Sequence, residues 1–158
     1  MQQKILKRTG DKTSPAQRRI NRANSLATLS RLLELNFSTG ARLITLGYTP
    51  TDCAPAGEYA ETDIKAWVRS ARAQMGGTFR YVRATGQGRG GDPAIVHRVV
   101  TVCPEASVES LAASWRYGPT SVAEVRAGEL PTLAKWLAAS EAAPNRRTWI
   151  SSRGLKRF

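Results

Sequence analysis

Two short runs around a glycine-rich stretch restrict the fold of this chain more than any other feature. Phe79-Arg80-Tyr81-Val82-Arg83-Ala84 alternates in polarity, and Ile95-Val96-His97-Arg98-Val99-Val100-Thr101-Val102 is rich in β-branched residues. Both patterns read as strands, the first with one wet face. Between them lies Gly86-Gln87-Gly88-Arg89-Gly90-Gly91-Asp92. A glycine loop that cradles phosphate needs a strand before it and a helix after it. Here a second strand follows, so the stretch reads as a hairpin tip. A hairpin embedded in a chain of helices makes a largely antiparallel sheet the expected core.

The flanking segments fill in that plan. Ser14-Pro15-Ala16-Gln17 is a helix start, with serine as the cap, proline at the first helical position and glutamine three residues on. The helix is predicted to run over about 14–35, with Leu26, Leu29 and Leu33 on one face and Arg18, Arg19 and Arg22 beyond that stripe. Asn36 to Gly40 reads as a turn, and Arg42 to Tyr48 as a buried strand. Thr62 is placed as the cap of a helix from Asp63 to Met75, with Ile64, Trp67, Val68, Ala71 and Met75 as its apolar stripe. Ser107 opens a short helix, Thr120 to Val125 is a fourth strand, and Pro131 starts a last helix that buries Leu133, Trp136 and Leu137. Trp149-Ile150 anchors the closing segment. The predicted class is α+β: a mainly antiparallel, four- to five-stranded sheet with helices packed on it. A single domain over 1–158 is expected, since no linker or repeat interrupts the chain.

Charge adds what periodicity leaves out. The chain carries +12, yet the excess is confined to its ends. Residues 1–31 hold eight basic side chains against Asp11, and residues 144–158 hold five with no acid, so the segment between is neutral. Two basic flanks around a neutral body point to a polyanionic partner such as nucleic acid, or to an acidic protein surface. No apolar run reaches the roughly 20 residues of a membrane helix. Met1 to Arg8 has no apolar signal core, so a cytoplasmic chain with no membrane partner is expected. Cys53 and Cys103 stand in no metal-ligand spacing and read as reduced thiols.

Several of these segments, in order, resemble one family. Asn36 to Tyr48 resembles the first motif of the rolling-circle replication initiators of the HUH endonuclease superfamily, most closely the short Rep proteins of inoviruses and of mobile elements in Gram-positive bacteria. The hairpin from Phe79 to Val102 resembles the family's central hairpin, and Trp115-Arg116-Tyr117-Gly118 its tryptophan–glycine segment. Leu133-Ala134-Lys135-Trp136-Leu137 resembles the tyrosine helix, and Thr148 to Lys156 the closing run. The family cuts single-stranded DNA with a tyrosine nucleophile. A divalent metal held by two histidines on alternate strand positions, with an acidic residue on the neighbouring strand, polarises the phosphate.

The resemblance places the histidine pair at Val96 and Arg98, with His97 facing the other way. It places the acidic ligand at Ala84, the nucleophile at Trp136 and a lysine at Ala139. Valine, alanine and tryptophan neither bind a hard cation nor attack phosphorus. Arg98 would repel a metal and could itself hold phosphate as a fixed cation. A catalytically inactive Rep-like domain is therefore expected, with no catalytic residue, metal or cofactor.

The nucleic-acid-binding candidates are Arg18, Arg19, Arg22, Arg98, Arg146, Arg147, Arg153, Lys156 and Arg157, toward single-stranded DNA or RNA. Trp136 is read as core packing, with base stacking as its alternative. A second class of function is a mobile-element inhibitor of a host defence nuclease. It would act like an anti-CRISPR protein on a nucleoprotein complex such as a CRISPR effector, or on its guide RNA. A third is a surviving nickase with Tyr117 or Tyr81 as substitute nucleophile.

Overall fold

The Ser14 side chain accepts a hydrogen bond from the Gln17 amide at 3.1 Å, and Pro15 follows as the first residue of helix α1, Pro15–Phe37. The computed structural model describes residues 14–49, 57–87, 95–138 and 149–157. Among these, α1 is followed by β1 (Ala41–Leu46), α2 (Gly57–Gln74), β2 (Tyr81–Gln87), β3 (Ile95–Val102), α3 (Glu105–Ala113), β4 (Thr120–Val125), α4 (Leu130–Ala138) and β5 (Ile150–Ser151). The strands form one antiparallel sheet in the order β4-β1-β3-β2-β5, so the fold is α+β.

Helices cover both faces of the sheet. On one face α1 and α4 close over Leu43, Val82, Ala84 and Val100, with Leu29, Leu33, Phe37, Leu133 and Leu137 in the seam. On the other, α2 and α3 close over Ile44, Leu46, Tyr81 and Val99, with Ile64, Trp67, Val68 and Leu111. This corrects the wet face expected for the first hairpin strand. β2 is an inner strand under helices on both sides, so Arg83 is 5% exposed and forms an ion pair with Glu61 at 2.8 Å.

Other boundaries shift for physical reasons. The second helix begins at Gly57 rather than at a Thr62 cap, because Ala60 extends its buried stripe of Ile64, Trp67, Val68 and Ala71 backwards by one turn. Asn36 belongs to the last turn of α1 rather than to a turn after it. The third helix starts at Glu105 behind Pro104, two residues before Ser107. Phe79 lies before β2 but is buried against Trp67 and Tyr81. Most of the expected hairpin tip, Cys53 and the loop around it lie outside the described residues. No described helix is long and apolar enough to cross a membrane.

Candidate nucleic-acid interface

The sheet register brings the residues of interest to one end. Thr45, Arg98 and Ala84 lie opposite one another across β1, β3 and β2, and Leu46, His97 and Thr85 form the next row. Strand alternation sends Arg98 and Val96 to the α1/α4 face and His97 to the α2/α3 face, as expected from the sequence. Arg98 is buried, 3% exposed, and its guanidinium lies 4.0 Å from the centre of the half-buried Trp136 ring. Residues 84, 98 and 136, separated by up to half the chain, thus meet on one face, with Val96 two residues along the same strand. Ala139 lies outside the described residues. The side chains at positions 84, 96, 98 and 136 offer no imidazole, carboxylate or hydroxyl, and Thr45 is the hydroxyl-bearing residue of the same row. They do not fit a divalent metal, and the indole is no nucleophile.

The chain matches no protein-family model, no curated protein and no solved structure.

Among the described residues, the closing segment is fastened to the helix that carries the N-terminal arginines. Arg18, Arg19 and Arg22 stand exposed on α1. The closing segment lies along that helix: Trp149 Nε1 donates to Ser25 Oγ at 2.8 Å. Further along, Asn36 clamps Lys156 twice, accepting from its backbone N–H at 2.7 Å and donating to its carbonyl at 3.0 Å. Ser152 continues the attachment to the sheet, its N–H donating to the Tyr81 carbonyl and its hydroxyl accepting from the Tyr81 N–H. Arg153, Lys156 and Arg157 are exposed on this segment, and Arg157 also donates to Ser151 Oγ at 3.1 Å. Arg146 and Arg147 lie outside the described residues. Arg98, grouped with these cations in the sequence reading, is instead covered by Trp136.

Sequence reading missed a polar chain on the opposite face. The Tyr48 hydroxyl donates to Asp63 Oδ2 at 3.0 Å. With its proton so used, it accepts from His97 Nε2 at 3.0 Å. Nδ1 is then the acceptor for the Thr85 hydroxyl at 2.6 Å. His97 is fully buried, and burial first, then the charge of Arg83, lowers its pKa to about 4, with Glu61 opposing. The imidazole is therefore neutral, which agrees with the one-donor, one-acceptor pattern. Burial and the neighbouring Asp63 push the Tyr48 phenol well above its ordinary range. Trp115 packs edge-on against Tyr48 and His97, Tyr117 packs edge-on against Trp115, and Trp115 Nε1 donates to the Gly47 carbonyl at 2.6 Å. Both ring nitrogens of His97 and the Tyr48 hydroxyl are hydrogen-bonded, and through Asp63 the group fastens α2 to the sheet. The lone histidine in a strand was its one sequence signal; its partners lie 12 and 49 residues away.

Proposed function

We propose that this chain is a nucleic-acid-binding domain on a Rep-like scaffold that lacks cleavage chemistry. The observation that carries the reading is the attachment of the basic closing segment to basic α1. Through the Asn36–Lys156 and Trp149–Ser25 contacts, the closing segment with its exposed Arg153, Lys156 and Arg157 is fastened to the helix that carries Arg18, Arg19 and Arg22. Phosphates contacted there release counterions, which makes such binding strong at low salt and steeply salt-dependent. The reading of the scaffold as inactive is supported by the chemistry at one spot. Alanine, valine, arginine and tryptophan stand where the family's metal ligands and nucleophile would be. Arg98, locked under an aromatic ring, serves the fold there.

The test is fluorescence anisotropy of the whole chain with labelled DNA and RNA across a salt series. If four phosphates are neutralised, affinity falls about a hundredfold between 50 and 200 mM salt. Absence of binding, or binding indifferent to salt, overturns the proposal. A parallel incubation of single-stranded DNA with the protein and manganese is expected to give no nick and no covalent adduct. An adduct would restore the nickase reading.

A further inference from the structure

Among the described residues, none covers the first ten residues of α1. Every residue from Ser14 to Asn24 is exposed, and burial begins in earnest only at Leu29. At roughly 1.5 Å of rise per residue, the segment from Pro15 to Asn24 projects about 15 Å. A helix that is polar all round gains nothing from burial, and a piece this short is marginal alone. Its cap at Ser14 and its continuity with the buried half make it a helical arm.

Its side chains are sorted into two ridges. Arg18, Arg22, Ser25 and Leu29 follow at intervals of four, three and four, so the arginines extend the ridge that enters the core. Gln17, Asn21, Asn24 and Thr28 follow at the same intervals on the adjoining ridge. Gln17 Nε2 donates to Asn21 Oδ1 at 2.9 Å, which fixes the amides relative to each other. No acidic residue occurs between Ser14 and Leu33.

We infer that this projecting half of α1 lies in the major groove of double-stranded DNA, with Arg18, Arg19 and Arg22 on phosphates and Asn21 and Asn24 toward base edges. The inference rests on the nucleic-acid reading above and deepens it. The B-form groove, about 12 Å wide, admits a helix, and asparagine pairs in two-point fashion with adenine there. An arm of about 15 Å covers some four base pairs at about 3.4 Å each. A-form RNA closes that groove to side chains, so the geometry selects DNA duplex over RNA duplex. A membrane surface would demand a broad apolar face, and Ile20 is the only large apolar side chain on the arm.

Anisotropy with a labelled 20-base-pair DNA duplex, its single strand and the matching RNA duplex tests this. The duplex DNA is expected to bind tightest. Arg18→Ala/Arg22→Ala is expected to weaken it about tenfold or more and to flatten the salt slope by about two. Asn21→Ala/Asn24→Ala should leave the slope unchanged while reducing preference among sequences selected from a randomised duplex pool. Alanine at these exposed positions favours the helix, and far-ultraviolet circular dichroism verifies that it is retained. Duplex binding untouched by either pair but lost in Arg153→Ala/Lys156→Ala/Arg157→Ala overturns the inference and leaves the function standing. So does binding confined to single strands or to the RNA duplex. No binding to any of the three probes sinks both.

Discussion

Arg98 on β3 lies over the ring of Trp136 on α4, its guanidinium carbon 4.0 Å from the centre of the indole. A buried cation against an aromatic face is worth up to about 2 kcal/mol when desolvated. Arg98→Lys replaces the broad guanidinium over the ring with a compact ammonium and is expected to cost about 1 kcal/mol. Trp136→Leu uncovers the cation and removes core contacts, costing about 2–3 kcal/mol. The two together should cost less than their sum. Urea unfolding of the four proteins of the double-mutant cycle measures the coupling; strict additivity would show the contact to be incidental.

Acid should loosen the fold through His97. Its folded pKa of about 4 lies below the ordinary value of 6.5, so the unfolded chain takes up the proton first. The stabilisation is complete above pH 6.5 and is lost as the pH falls toward 4, amounting to about 3 kcal/mol. Burial sets this window first; the charge of Arg83 on β2 lowers the value further and that of Glu61 on α2 opposes it. Urea midpoints at pH 7, 5.5 and 4.5 should decline in the natural chain. In His97→Gln the decline between pH 6.5 and 5 should flatten, with only carboxylate titration remaining below.

Tyr48→Phe removes the oxygen that both accepts from His97 and donates to Asp63. The variant leaves a buried imidazole N–H without its acceptor, at a cost of about 1–3 kcal/mol. Hydrogen exchange should speed most in α2, the helix this chain fastens. Uniform acceleration across the sheet would contradict that role.

These partners show where sequence reading stops. The hairpin, the strand pattern of β3 and the Ser14-Pro15 start were legible because each depends on neighbours in the chain. The alternation that turned His97 away from Arg98 was legible for the same reason. The pairing of His97 with Thr85 depends on hairpin register across a tip whose length and bulges a sequence does not state. Its contact with Tyr48 depends on β1 lying beside β3. Arg83 looked like a solvent-facing residue because Glu61, which neutralises it, comes from a helix on a separate segment. Asn36 looked like a turn residue because turns favour asparagine; its role as a clamp is set by a carbonyl 120 positions away.

Gly118 is required by close approach rather than by backbone torsion. A methyl group there would sit on the backbone of Tyr48 and Thr49, where the Thr49 N–H donates to the Tyr117 carbonyl at 2.9 Å. Gly118→Ala is expected to cost about 3 kcal/mol, the upper range of overpacking. Thermal unfolding checks it, and a change within error would mean that the segment yields freely.

The double hydrogen bond between Asn36 and Lys156 carries a consequence for how the protein is made. During synthesis α1 leaves the ribosome more than a hundred residues ahead of the segment that fastens it. Until then Asn36 has no clamp and Ser25 no indole, and β5 has yet to pair with β2. Contacts this distant in sequence slow folding and leave intermediate states adhesive. α1 therefore gains its last fastenings only once Lys156 has emerged, and a product stopped short of that residue would hold the helix by its core packing alone.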